Sequence, residues 1–129
     1  MTRGIRAQPP NPIVADALIR EAEWQKVVTD LFELHGWRLW HNVVAWRSNP
    51  GWPDLVCVHQ VHGIIFVELK TRTGKVTPEQ ESWHASLRAA GQFVTVLRPA
   101  DWEMTMRIAK GMVSAPGMSS DAKRLVNRR

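Results

Sequence analysis

Two short runs carry the most chemical information: Gly51-Trp52-Pro53-Asp54 and, after thirteen intervening residues, Glu68-Leu69-Lys70. Residues two apart on a β-strand point the same way, so Glu68 and Lys70 share one face at a spacing of roughly 7 Å. If the strand that follows Asp54 pairs with the strand that carries Glu68, the two carboxylates become neighbours. A pair of carboxylates on adjoining strands is half the coordination shell of a hard divalent cation, since Mg²⁺ takes one or two such ligands and fills the rest with water and phosphate oxygens. A lysine alongside can stabilise charge at a scissile phosphate or orient a metal-bound water. That combination is the chemistry of metal-assisted phosphodiester hydrolysis. Taken singly, Asp after Pro is an ordinary turn residue and Glu-x-Lys an ordinary solvated strand face. On a strand whose other residues are apolar, however, buried charges require a reason.

Further candidates surround this group. Glu21 falls within about 80° of Trp24, Gln25, Val28, Leu31 and Phe32 on a helical wheel and so interrupts an apolar stripe, whereas Glu23 faces away. Packed on a sheet, Glu21 and Gln25 could reach the carboxylate pair; alternatively, Glu21 snorkels past the core at a helix end. Gln80 lines one helix face with Trp83 and Leu87, where it could serve the site, but it also occupies a capping-box position. Arg47, Arg72 and Lys75 lie in flanking loops, placed to grip DNA phosphates. Cys57, His59 and His62 resemble part of a zinc set but lack a fourth ligand. Of seven tryptophans, most suit the core; Trp46 and Trp52 are the candidates for base stacking.

The elements that must position these residues follow from periodicity. Residues 13–35 alternate at helical spacing and stop at Gly36. Trp37 to Val44 reads as a strand, with a loop from Ala45 to Gly51. Pro53 to His59 and Gly63 to Lys70 read as a hairpin, the second strand being apolar on both faces and hence central. Thr77-Pro78-Glu79-Gln80 opens a helix that ends at Gly91. Phe93 to Leu97 forms a fourth strand, and Asp101 can cap a last helix through Lys110. The order α-β-β-β-α-β-α predicts an α/β fold, a small mixed sheet with helices on its faces.

A chain of 129 residues accommodates one core. The expected organisation is a flexible lead-in at 1–12, a folded unit at 13–110 and a basic flexible tail at 111–129. The net charge of +5 comes from the ends: Arg3 and Arg6 before the folded unit, and Lys123, Arg124, Arg128 and Arg129 against Asp121 after it. The central segment is balanced, so a polyanion would be gripped by the tails or by a local cluster. No apolar run is long enough to span a membrane or to follow the N-terminal arginines as a signal peptide. A single cysteine allows no intrachain disulfide, which makes a reducing cytoplasm the expected setting.

Taken in order, Glu21-Ala22-Glu23-Trp24-Gln25, Gly36-Trp37, Gly51-Trp52-Pro53-Asp54, Glu68-Leu69-Lys70, Thr77-Pro78-Glu79-Gln80 with Trp83, and Arg98-Pro99-Ala100-Asp101-Trp102 resemble the VRR-type nuclease domain. This is the virus-type replication-repair branch of the PD-(D/E)XK nucleases. The resemblance spans about residues 19–110. It implies a restriction-endonuclease-like fold with Asp54 and Glu68 as ligands to Mg²⁺ or Mn²⁺, assisted by the Leu69 backbone carbonyl, and Lys70 as the catalytic lysine. The family's first-helix acid maps onto Glu21 and its helix glutamine onto Gln80, while Gln25 stands where related junction resolvases carry an acid. Stand-alone members of this size resemble phage proteins that act on branched DNA, Holliday junctions or flaps, often as homodimers; for these the setting is the bacterial host cytoplasm.

Two further readings compete with a DNA endonuclease: a non-catalytic DNA-binding module that kept the fold, and a protein-interaction subunit with basic tails. A pure phosphate binder would gain from losing both carboxylates, so the intact Asp54 and Glu68 favour the enzyme. If the tails supply the nonspecific grip, trimming both removes most of the DNA affinity and flattens its dependence on salt. Affinity and salt slope unchanged after trimming would assign the grip to the loops.

Overall fold

The computed structural model describes residues 19–42 and 50–113. Their elements are α1 (Glu21–Leu34), β1 (Arg38–His41), β2 (Leu55–His59), β3 (Gly63–Leu69), α2 (Pro78–Ala89), β4 (Phe93–Leu97) and α3 (Trp102–Ala109), the last preceded by a 3-10 turn at Pro99–Asp101. This is the order read from the sequence. The sheet runs β1-β2-β3-β4, antiparallel across the first two junctions and parallel between β3 and β4. A chain leaving β3 must therefore cross over to enter β4 in the same direction, and α2 makes that crossing.

The inner strand β3 sorts its side chains by parity. Ile65, Val67 and Leu69 join the main core with Trp24, Val28 and Phe32 of α1, Leu55 and Cys57 of β2, and Trp102 and Ile108 of α3. Phe66 and Glu68 point to the other face, toward α2, where Trp52 stacks edge-on against both Phe66 and Trp83. Coverage of both faces holds only for the half of β3 nearest Lys70, because Ile64 is 48% exposed. Two core indoles also satisfy backbone carbonyls: Trp24 Nε1 donates to Leu97 O at 3.0 Å and Trp37 Nε1 to Ala109 O at 2.8 Å. These bonds fix α1 to the end of β4 and β1 to the end of α3. Among the described residues the exposed tryptophan is Trp40. Trp52, expected as a stacking residue, is packed instead, and Trp46 lies outside the described residues.

Several boundaries differ from the expectation. Arg20 is extended rather than helical, and Glu23 accepts its backbone N–H at 3.0 Å and pairs with its guanidinium at 3.2 Å. The helix therefore begins at Glu21, which places that acid in the first turn; residues 13–18 lie outside the described residues. β1 is shorter than expected, ending at His41, and β2 starts at Leu55 rather than Pro53. Asp101 does not cap α3 with its side chain, because its Oδ2 accepts the Arg98 N–H at 2.9 Å and closes the 3-10 turn. Cys57 is buried in the core, and His59 Nδ1 accepts the Val61 and His62 amides of the β2–β3 turn. Among the described residues no three His, Cys, Asp or Glu side chains form a metal-binding group. The folded body also extends past 110: Met112 N–H donates to Arg107 O at 2.8 Å, and Val113 packs against the core.

Gly51 shows why the segment before Asp54 needs its sequence. It has φ +94° and lies so close to the first turn of α2 that a Cβ would overlap the Glu79 carbonyl and the Gln80 amide. Gly51→Ala combines left-handed strain with a backbone clash, so it should destabilise the fold by roughly 2–4 kcal/mol, read as a lower urea midpoint. An unchanged midpoint would contradict this packing.

Candidate active site

Pairing between β2 and β3 stops at Leu55↔Val67, whereas β3 stays paired with β4 as far as Leu69↔Leu97. The Asp54 side chain continues where the β2 backbone leaves off, its Oδ2 accepting the Leu69 N–H at 2.9 Å. That bond holds the Asp54 carboxyl beside Glu68, so the two acids meet at the end of the sheet rather than on opposite faces. Glu68 is 1% exposed. Burial, followed by the adjacent Asp54, pushes its pKa up to about 9, and Glu21 adds to the rise while Lys70 opposes it. Lys70 Nζ stands 3.9 Å from Glu68 Oε2, with its side chain largely shielded.

Gln80 makes both a capping contact and a contact with Glu68. Its Oε1 accepts the Thr77 N–H at 2.9 Å and its backbone N–H donates to Thr77 Oγ1 at 3.1 Å, completing the capping box. The same side chain then donates Nε2–H to Glu68 Oε2 at 2.9 Å. Glu21, at the start of α1, is exposed but near enough to Glu68 for its charge to be felt there. Glu23 instead faces outward on Arg20. Gln25 is not part of the acid group: its amide nitrogen lies 3.2 Å from His41 Nδ1 at the end of β1.

The basic residues occupy the margin. Arg72 and Lys75 are exposed on the loop after Lys70. Arg47 lies outside the described residues. The loop is held by Arg98, whose Nη1 donates to both Thr71 O and Gly74 O at 2.6 Å. Three residues here escaped the reading of the sequence as site neighbours: Arg98, His41 and His84. His84 is 3% exposed and stands 3.8 Å from Glu68 Oε1. It is one turn beyond Gln80, and that i, i+4 spacing was the available signal.

The donor set fits a hard cation. Its groups are carboxylate and carbonyl oxygens, the preferred ligands of Mg²⁺ and Mn²⁺. Glu68 Oε1 is buried with no hydrogen-bond partner, and an acceptor in that state gains most from a cation. Asp54, Glu68 and the Leu69 carbonyl are the groups that would hold one.

The VRR-NUC domain family matches residues 23–101. The chain belongs to that family. The matched span contains Asp54, Glu68, Lys70 and Gln80 and leaves Glu21 two residues outside. Searches of curated proteins and of solved structures gave no match. A VRR-NUC domain carries a nuclease-type function in DNA processing, with DNA as substrate, and the four-stranded mixed sheet flanked by helices agrees with the restriction-endonuclease-like fold of such domains. Among the described residues no helix is long and apolar enough to cross a membrane.

A folded-state pKa near 9 on a group whose ordinary value is 4.5 has a definite sign. The folded protein binds the extra proton between those values, so Glu68 favours folding below about pH 4.5 and that contribution is lost as pH rises toward 9. Without metal, the wild type should lose up to about 1.4 kcal/mol of stability per pH unit in that window relative to Glu68→Gln. Parallel stability profiles for the two proteins from pH 5 to 9 would contradict the buried acid pair.

Proposed function

We propose that this VRR-NUC protein is a Mg²⁺- or Mn²⁺-dependent deoxyribonuclease that hydrolyses phosphodiester bonds in branched DNA, Holliday junctions or flaps, and acts as a homodimer in a bacterial cytoplasm. The observation that carries the reading is the buried Asp54–Glu68 pair with Lys70 beside it. Asp54, Glu68 and the Leu69 carbonyl would hold the cation, which would supply Lewis-acid activation for phosphodiester hydrolysis. Lys70 places its ammonium over the developing charge on the phosphoryl oxygens. Gln80 holds Glu68 Oε2 in position, and Glu21 offers an acceptor to the water shell from the start of α1.

Arg72 and Lys75 grip phosphates flanking the cut, joined by Arg47; Gln25 and the basic tails extend the contact. Arg98 fixes the Arg72–Lys75 loop through two carbonyls, so this grip is positioned without spending Arg98's charge on DNA. A sheet face bearing exposed Trp40, Val58 and Ile64 offers apolar surface for a second copy. Selectivity for branched DNA and dimerisation rest on the family resemblance.

The test incubates the protein with duplex, forked and four-way-junction DNA, with Mn²⁺ and with chelator. Cutting should require the metal and favour the branched substrates. Asp54→Ala, Glu68→Gln and Lys70→Ala should each slow it by roughly 10²-fold or more while remaining folded. Full cleavage by all three variants would exclude this site, and metal-independent binding without cutting would select the non-catalytic module.

A further inference from the structure

α2 presents two polar side chains to Glu68, one turn apart. Gln80 donates to Oε2 at 2.9 Å, and His84 faces Oε1 at 3.8 Å. That second distance is too long for a hydrogen bond. Both atoms are buried, and neither Glu68 Oε1 nor His84 Nε2 has a hydrogen-bond partner. Leaving two buried polar atoms unpaired costs on the order of 1–3 kcal/mol each, yet they face one another across a gap that a side-chain displacement of about 1 Å would close to hydrogen-bond distance. In the tautomer that carries its proton on Nε2, the His84 imidazole presents a donor to this acceptor.

We propose that His84 is a positioning residue for Glu68, its Nε2–H turned toward Oε1 to restrain that oxygen as Gln80 restrains Oε2. Gln80 and His84 would then restrain the two carboxylate oxygens from successive turns of one helix, leaving Glu68 placed to hold a cation. The imidazole's role is exerted through Glu68, the side chain it faces. This rests on the metal-dependent reading above.

The test measures Mn²⁺ binding without DNA, by the electron-paramagnetic-resonance signal of the free ion, in the full chain. The comparison is wild type with His84→Gln, His84→Asn, His84→Leu and Asp54→Ala. A glutamine amide reaches the place of Nε2 and an asparagine amide does not. His84→Asn and His84→Leu should weaken Mn²⁺ binding roughly 10- to 100-fold, while His84→Gln stays within about threefold of wild type. If His84→Asn fails to fold, His84→Leu against His84→Gln makes the same comparison with an apolar filler. Cleavage by the weakened variants should recover as Mn²⁺ is raised, showing a change in metal requirement rather than in the chemical step. Equal Mn²⁺ affinity in all His84 variants, or equal weakening in His84→Gln and His84→Leu, would overturn the inference while a weakened Asp54→Ala keeps the metal site. Absence of Mn²⁺ binding by the wild type would overturn both.

Discussion

The site depends on one arrangement that is costly by itself: a carboxyl group at the end of the inner strand, shut away from water and placed beside another acid. Glu68 is almost wholly buried, and both its burial and its neighbour oppose ionisation. Lys70 compensates incompletely, since its ammonium is 3.9 Å away and the anion would still keep an unpaired oxygen. An apolar residue at position 68 would make an easier core. A buried pair of acids of this kind makes physical sense where a cation supplies the missing charge.

Much of the surrounding structure serves to keep that pair together. Asp54 stays beside Glu68 because its Oδ2 replaces the β2 backbone as acceptor for the Leu69 amide. The segment leading to Asp54 lies flush on α2 through Gly51, and Trp52 wedges against Phe66 and Trp83. Gln80 closes the capping box and reaches Glu68 with the same side chain, so the start of α2 and the orientation of the acid are set together. On the opposite face, the indole of Trp24 binds the last carbonyl of β4, which fixes α1 with Glu21 near the same sheet end. Position at the site is thus determined by packing on both sides of β3.

What could be read from the sequence was whatever local spacing encodes. The capping box at Thr77, the glycine stop after α1, the β2–β3 hairpin and the same-face placement of Glu68 and Lys70 all follow from residues within a few positions of one another. Apolar residues on both faces of β3 marked it as internal, and the charges at its end were anomalous for that reason. Long-range competition was not legible. Asp101 suits an N-cap by type, but the Arg98 amide claims its carboxylate. Residues 13–35 share a helical period, yet Arg20 is extended because Glu23 turns back onto it. Gln25 has the right helical phase for the acid group and is taken by His41, a pairing that depends on where β1 ends. Arg98 resembles any loop arginine until the 71–74 carbonyls are seen to converge on it. His84 could have been noticed from its spacing to Gln80, but only the fold shows that this face of α2 meets Glu68.

The most direct test of the central claim is the proton balance of metal binding. Calorimetric titration of the full chain with Mn²⁺ near pH 7.5, in two buffers of different ionisation enthalpy, measures protons released per ion bound. A buried Glu68 that keeps its proton to about pH 9 in the metal-free protein must give it up to coordinate, so close to one proton should appear in the buffer for each Mn²⁺ bound. Binding heats independent of the buffer would contradict the account, because they would mean that Glu68 is already ionised or takes no part in holding the ion.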